Sequence, residues 1–386
     1  MMEWALAADI VFDGAALHRD AAVAVEGAAI RAVLPVADLP RGMRVQRLPA
    51  GAWLAPGFVD LQVNGGGDVM FNDEPTQESI AAIAKAHRVF GTTGLLPTLI
   101  TDEKAKMEVA RSAVAAAMRS QPSVLGIHFE GPFLAPERAG VHDPALMRRP
   151  DAADLAFFTA SAPSPFPGVT LLTLAPERVP KGFVAALAKA GVRIALGHSA
   201  ASYDETRAAL AEGLGGFTHL FNAMPPLAAR EPGPIAAALE APGVWYGLIV
   251  DGAHVAAAML RLALRGLGDP LLVTDAMSPV GGTRGDFTFQ GRPIHLDGVR
   301  LTNAQGRLAG SVLDMASAVR NCVRLLDLAL PDALRMASTT PAAALGLGDR
   351  LGRLKPGYRA DLVALDPAAV RVLGTWVAGQ GGLHPP

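Results

Sequence analysis

Glu130, His198, His219 and Asp275 each close a short apolar run. The run at 123–129 is too short for a helix, and Gly131-Pro132 stops the element directly after Glu130. This reads as a buried strand that delivers a carboxylate to its C-terminal rim, where an unpartnered charge is too costly to keep. Residues 192–197 end in His198 in the same way, 216–218 in His219, and 271–274 in Asp275. One glutamate and two histidines make the ligand count that leaves an open position on a catalytic zinc. Beside such an ion, Asp275 is a suitable general base for a bound water. Taken singly, each residue has a plainer reading: a strand-end histidine hydrogen-bonds a loop, and a rim aspartate caps one. The set is what points to a metal site with a proton-transfer residue.

Further residues surround this set. His254, in Asp251-Gly252-Ala253-His254, follows an apolar run and is placed to polarise a substrate carbonyl, or simply to order its loop. His142 stands in the loop after Glu130. His128 lies two residues before Glu130, on the same side of its strand, as a candidate support for it. Arg230, in the proline-rich loop after His219, is a candidate anion clamp because a guanidinium fork matches phosphate oxygens. The plainer alternative is an ion pair with Glu231 or another carboxylate. Asn64-Gly65-Gly66-Gly67 is rich enough in glycine to cradle a phosphate but lacks the lysine and helix start of a P-loop. His18, His87, His295 and His384 have no companion ligand nearby and read as surface or structural.

The elements that must position these groups follow from the pattern. The stretches 58–63, 94–99, 124–129, 170–174, 193–197, 216–218, 245–250 and 271–274 are candidate strands. Helical stretches at 78–90, 103–119, 151–159, 181–190, 203–212 and 256–265, with a weaker one near 235–239, separate them. Eight strands with crossovers match a (β/α)8 TIM barrel, whose active sites lie at the C-terminal strand ends. A doubly wound open sheet would instead gather the site at one switch point. A hairpin around Gly291 is expected after the last barrel strand, then a helix over 312–328 with Ser311 as N-cap. Short strands near both termini predict a small β-sandwich domain built from residues 1–54 and 346–386, flanking a barrel domain over 55–345. The fold class is therefore α/β. A 51% hydrophobic chain with 18% charged residues can fill a core of that size. A net charge of -2 without a long basic run argues against a nucleic-acid partner. The lone Cys322 excludes an internal disulfide, and with no apparent signal peptide or membrane span a cytoplasmic protein is expected.

Several motifs together resemble one family. They are Pro56-Gly57-Phe58-Val59-Asp60, His128-Phe129-Glu130-Gly131-Pro132, Gly197-His198-Ser199, Thr218-His219-Leu220-Phe221-Asn222-Ala223-Met224 and Thr274-Asp275-Ala276. Over nearly the whole chain the sequence resembles the N-acetylglucosamine-6-phosphate deacetylases of the amidohydrolase superfamily. The resemblance implies a metal-dependent enzyme of amino-sugar catabolism, a homodimer acting on a small amino-sugar phosphate. It implies Glu130, His198 and His219 as metal ligands and Asp275 as general base. It implies His142, Asn222, Ala223, Arg230 and His254 as substrate contacts. Where the superfamily carries His-x-His on the first strand, this chain has Gln62-Val63-Asn64. Amide oxygens are poorer zinc ligands, and no lysine occupies a candidate strand end, so one divalent ion per subunit is expected, with zinc the first choice. Gln62 and Asn64 then line the vacant second-metal side. A deacetylase for N-acetylgalactosamine 6-phosphate and a non-catalytic barrel are the alternatives.

Overall fold

The computed structural model describes residues 3–159 and 166–385. Eight parallel strands form the barrel: β1 (Phe58–Val63), β2 (Thr92–Ile100), β3 (Gly126–Glu130), β4 (Val169–Leu174), β5 (Arg193–Leu196), β6 (Gly216–Phe217), β7 (Trp245–Leu248) and β8 (Asp269–Leu272). They pair in strict sequence order from β1 to β8. Every residue of β1, β2 and β3 is buried, as expected of strands covered by helices outside and side chains inside. The helices start where local chemistry lets them. Thr76 caps Gln77–Arg88 through Ser79, and Ser202 with Glu205 forms a capping box on Tyr203–Glu212, which Gly213 ends at φ 109°.

The join between β8 and β1 is made differently from the other seven. The ladder of β8 stops at Leu272, two residues short of the sequence expectation. Beyond it, Asp275 N donates to Gln62 O at 3.0 Å and Asn64 N donates to Ala276 O at 2.9 Å. Below these bonds the Asp60 carboxylate accepts from Thr274 Oγ1 at 2.6 Å and from Thr274 N at 3.3 Å. A side chain thus replaces a rung of the ladder. Burial pushes the pKa of Asp60 up to about 7, with bonds from Thr274 and Gln62 opposing it.

The termini come together in one eight-stranded sheet. Strands from the first 56 residues are continued by Leu362–Asp366, Arg371–Val377 and Gln380–Leu383. Trp53–Pro56 is itself part of this sheet, pairing with Glu3–Phe12 and with Leu362–Asp366, so the chain passes to the barrel at Gly57. The sheet has its own apolar core around Leu6, Val23, Leu54, Leu362 and Trp376.

Two local expectations are corrected. The insertion after β8 is not a single hairpin but a four-stranded antiparallel sheet: Phe287–Phe289, Arg292–Asp297, Arg300–Asn303 and Leu308–Ser311. Its last strands are short and half exposed, which hid them from a search for apolar runs. The following helix is Met315–Leu326, capped by Asp314 rather than Ser311. Ser311 ends a strand, and its hydroxyl donates to Thr274 O at 2.5 Å, which ties the insertion to the end of β8.

Candidate functional site

At the C-terminal rim three atoms meet. Glu130 Oε1 lies 3.2 Å from His198 Nε2 and 3.0 Å from His219 Nε2, and the two ring nitrogens are 3.1 Å apart. Zinc bonds of about 2.0–2.1 Å in a tetrahedron would put ligand atoms about 3.3–3.4 Å apart. The triangle thus fits a divalent ion after an opening of a few tenths of an ångström. His198 Nδ1 donates to Arg138 O at 2.8 Å, because a carbonyl only accepts, so the lone pair of neutral His198 sits on Nε2. Glu130, His142 and His198 also come within 4.8 Å of one another. His142 Nε2 stands further off, 3.6 Å from Glu130 Oε2, so the tighter triangle with His219 is the better cradle.

The backbone pays for this convergence in conformation. His198 (φ 48°), His219 (φ 33°) and Asp275 (φ 52°) all adopt left-handed geometry at the ends of their strands, a region that non-glycine residues seldom occupy. Such strain collects at functional sites. Gly131, at φ 93°, turns the chain after Glu130 where a Cβ would fall 2.2 Å from Thr101 Oγ1.

Asp275 faces the triangle. Its Oδ1 accepts from Asn64 Nδ2 at 2.7 Å and from Gln62 Nε2 at 3.1 Å, and the same Gln62 nitrogen donates to Glu130 Oε1 at 3.0 Å. Among the described residues, Oδ2 has no protein donor. Burial, and then the negative charge of Glu130, raise the Asp275 pKa to about 6, against the pull of His219 and Asn64. Glu130 is held well below the ordinary carboxylate range: burial works against this, but its close contacts with the His142, His198 and His219 side chains outweigh it. The side-chain oxygens of Gln62 and Asn64 are buried without a protein partner among the described residues. That side of the site is thus lined by neutral amides.

A cavity of about 140 Å³ opens onto these groups, lined also by His142, His254, Asn222 and Ala223. Thr101 Oγ1 donates to Glu130 O, so it accepts from His142 Nδ1 at 2.8 Å and fixes that ring. His254 Nδ1 lies 2.5 Å from Asp251 Oδ2, while Asp251 Oδ1 takes the amides of Ala253 and His254. Burial raises the Asp251 pKa, but the His254 side chain and these amides outweigh it and keep the carboxyl ionised. Leu308 and Gly310 of the inserted sheet complete one wall.

Not every expected residue joins the cluster. Arg230 is exposed and does not line the cavity. Nor does it pair with Glu231, whose Oε1 accepts from the amides of Tyr203 and Gly233. The glycine run is no phosphate cradle: Gly65 and Gly66 pair with Val69 and Met70, and the amides of Gly65 and Gly67 are spent on Ala276 O and Val280 O. Two supporting carboxylates were missed in the sequence. Asp251 was in view three residues before His254, but its partner was not. Glu177 receives Ser199 Oγ at 2.8 Å and Ala200 N at 2.6 Å, steadying the turn after His198, and no spacing rule marks it.

Residues 53–381 match the model of the amidohydrolase family. The chain belongs to the amidohydrolase family. It is 43% identical over 337 residues to an N-acetylgalactosamine-6-phosphate deacetylase from Shewanella sp. (strain ANA-3), covering 86% of this chain and 84% of that one. It is 34% identical over 386 residues to the N-acetylglucosamine-6-phosphate deacetylase of Haemophilus influenzae, covering 98% and 99%. The solved N-acetylglucosamine-6-phosphate deacetylase of Pasteurella multocida superposes with a TM-score of 0.94 at 32% identity, over 99% of this chain and 100% of that one.

Proposed function

We propose that this amidohydrolase hydrolyses N-acetyl-D-glucosamine 6-phosphate to D-glucosamine 6-phosphate and acetate, in amino-sugar catabolism. The observation that carries the reading is the triangle of Glu130, His198 and His219 with Asp275 facing it across one cavity. The three residues would hold one divalent ion, zinc being our first choice from the donor set. When bound, such an ion acidifies a water and polarises a carbonyl. Asp275 Oδ2 takes the proton of the attacking water, since Oδ1 is committed to Gln62 and Asn64. The same carboxyl then passes that proton to the leaving amine, so that base and acid are one group. His254, with Nδ1 committed to Asp251, turns its Nε2 edge to the acetyl carbonyl. His142 contacts the sugar, and Asn222, Ala223 and Arg230 hold the phosphate.

An exposed Arg230 outside the cavity fits a homodimer in which it reaches a phosphate at the mouth of its own site or its partner's. Among the described residues no helix is long and apolar enough to cross a membrane; the location we assign is cytoplasmic. A second reading, the galactosamine epimer as substrate, is favoured by the name of the 43% identical relative. Acetate release from both N-acetylhexosamine 6-phosphates by zinc-loaded protein tests the two together. Turnover of the gluco epimer supports the first reading, turnover of the galacto epimer alone supports the second, and turnover of neither sinks both.

A further inference from the structure

We propose that His128 is a positioning residue for this hydrolysis, acting through a bulge in β1; the inference rests on the deacetylase reading. The pairing of β1 with β2 shifts register between Asp60 and Val63, so Leu61 and Gln62 fall outside the ladder. Bulges of this kind re-aim side chains beside active sites. They also strand backbone groups, which must find partners when buried. Here two side chains supply them. His128 Nδ1 donates to Leu61 O at 3.0 Å, and Val63 N donates to Thr98 Oγ1 at 3.0 Å. Thr98 in turn donates to Leu96 O at 3.1 Å. The far side of the imidazole is anchored as well, with Nε2 2.7 Å from Thr173 Oγ1, which is 2.6 Å from Thr218 Oγ1. One buried ring thus braces β1 against β3, β4 and the end of β6.

The braced residue next to Leu61 is Gln62, and Gln62 sets the spacing of the site. Its side-chain nitrogen bridges Glu130 and Asp275, and its carbonyl takes the Asp275 amide at 3.0 Å. If the bulge relaxes into the regular ladder, Gln62 turns away, because a one-residue slip moves a side chain to the other face. Asp275 then loses its alignment with Glu130, although no metal ligand has been removed.

The two ends of the imidazole can be tested apart. Asparagine keeps a donor near the position of Nδ1, whereas glutamine keeps a polar atom near Nε2 and loses the bond to Leu61. His128→Gln is expected to lower kcat at least tenfold, with KM and metal content unchanged and with faster hydrogen exchange at the amides of residues 62–64. His128→Asn is expected to restore kcat to within about threefold of the native enzyme. Thr98→Val, which leaves Val63 N without its acceptor, is expected to repeat the kcat loss and the faster exchange, and it serves if His128→Gln does not fold. Native kcat in His128→Gln or in Thr98→Val overturns the proposal, as does equal impairment of the asparagine and glutamine variants. A native protein without deacetylase activity refutes the deacetylase reading instead, and the exchange measurement still reports on the brace.

Discussion

Replacing Asp275 by asparagine isolates proton transfer from everything else Asp275 does. The carboxylate is held at one oxygen: Oδ1 accepts from Gln62 and Asn64. Both neighbours are donors, so asparagine must place its carbonyl oxygen there and its amino group where Oδ2 stood. The hydrogen bonds, shape and orientation survive, and only the basic atom facing the cavity is lost. A general base contributes on the order of 10²- to 10⁴-fold, about 3–5 kcal/mol of transition-state stabilisation. kcat for N-acetylglucosamine 6-phosphate should fall by that factor. Substrate affinity and metal content should stay close to native, because the Glu130, His198 and His219 triangle is untouched. The pH profile gives an independent check. Asp275 works as a base only when ionised, so activity should rise with pH through its pKa. Without an ion that value is about 6, and a neighbouring cation can only lower it, so the acid limb should lie at or below about pH 6. Near-native turnover in Asp275→Asn, or an acid limb above pH 7 in the native enzyme, would refute this assignment of the base.

Three other outcomes are expected. Arg230→Ala should weaken the phosphorylated substrate by about 2 kcal/mol or more while barely changing weak activity on unphosphorylated N-acetylglucosamine; equal losses on both would make Arg230 structural. Elemental analysis of active enzyme prepared without excess metal should give about one divalent ion per chain, and a second tight ion whose occupancy tracks activity would show the mononuclear reading to be wrong. Asp60, with its folded pKa raised to about 7, binds its proton more tightly in the folded than in the unfolded chain, so it makes stability fall as pH rises from about 4 to about 7. Asp60→Asn should flatten that part of a plot of melting temperature against pH, and an unchanged slope would remove Asp60 as its source.

The sequence by itself determined which residues stand at or just past the C-terminal ends of the barrel strands. An apolar run closed by a single polar residue is a local signal, and it marked Glu130, His198, His219 and Asp275 without any knowledge of distance. The alternation of runs and helical stretches was enough for the barrel, because burial on both faces leaves a local imprint. What only the tertiary structure decided lies between residues far apart in the chain. Glu130 meets His198 across 68 positions and Gln62 meets Asp275 across 213. Nothing in local periodicity reports such contacts. The left-handed turns at His198, His219 and Asp275 were equally hidden, since even Asp and His, which tolerate that conformation better than most non-glycine residues, adopt it rarely and the surrounding fold imposes it. The bulge in β1 was hidden because Asp60 and Gln62 alternate with Val59, Leu61 and Val63 as in a regular strand, and its two orphaned backbone groups are satisfied by His128 and Thr98 from neighbouring strands. Arg230 shows the converse: its loop and its chemistry were legible, but its exposed place outside the cavity depends on how that loop leaves β6. Local sequence fixes which groups a strand can offer, whereas the bonds those groups make are settled only when the barrel closes and buried polar atoms must find partners.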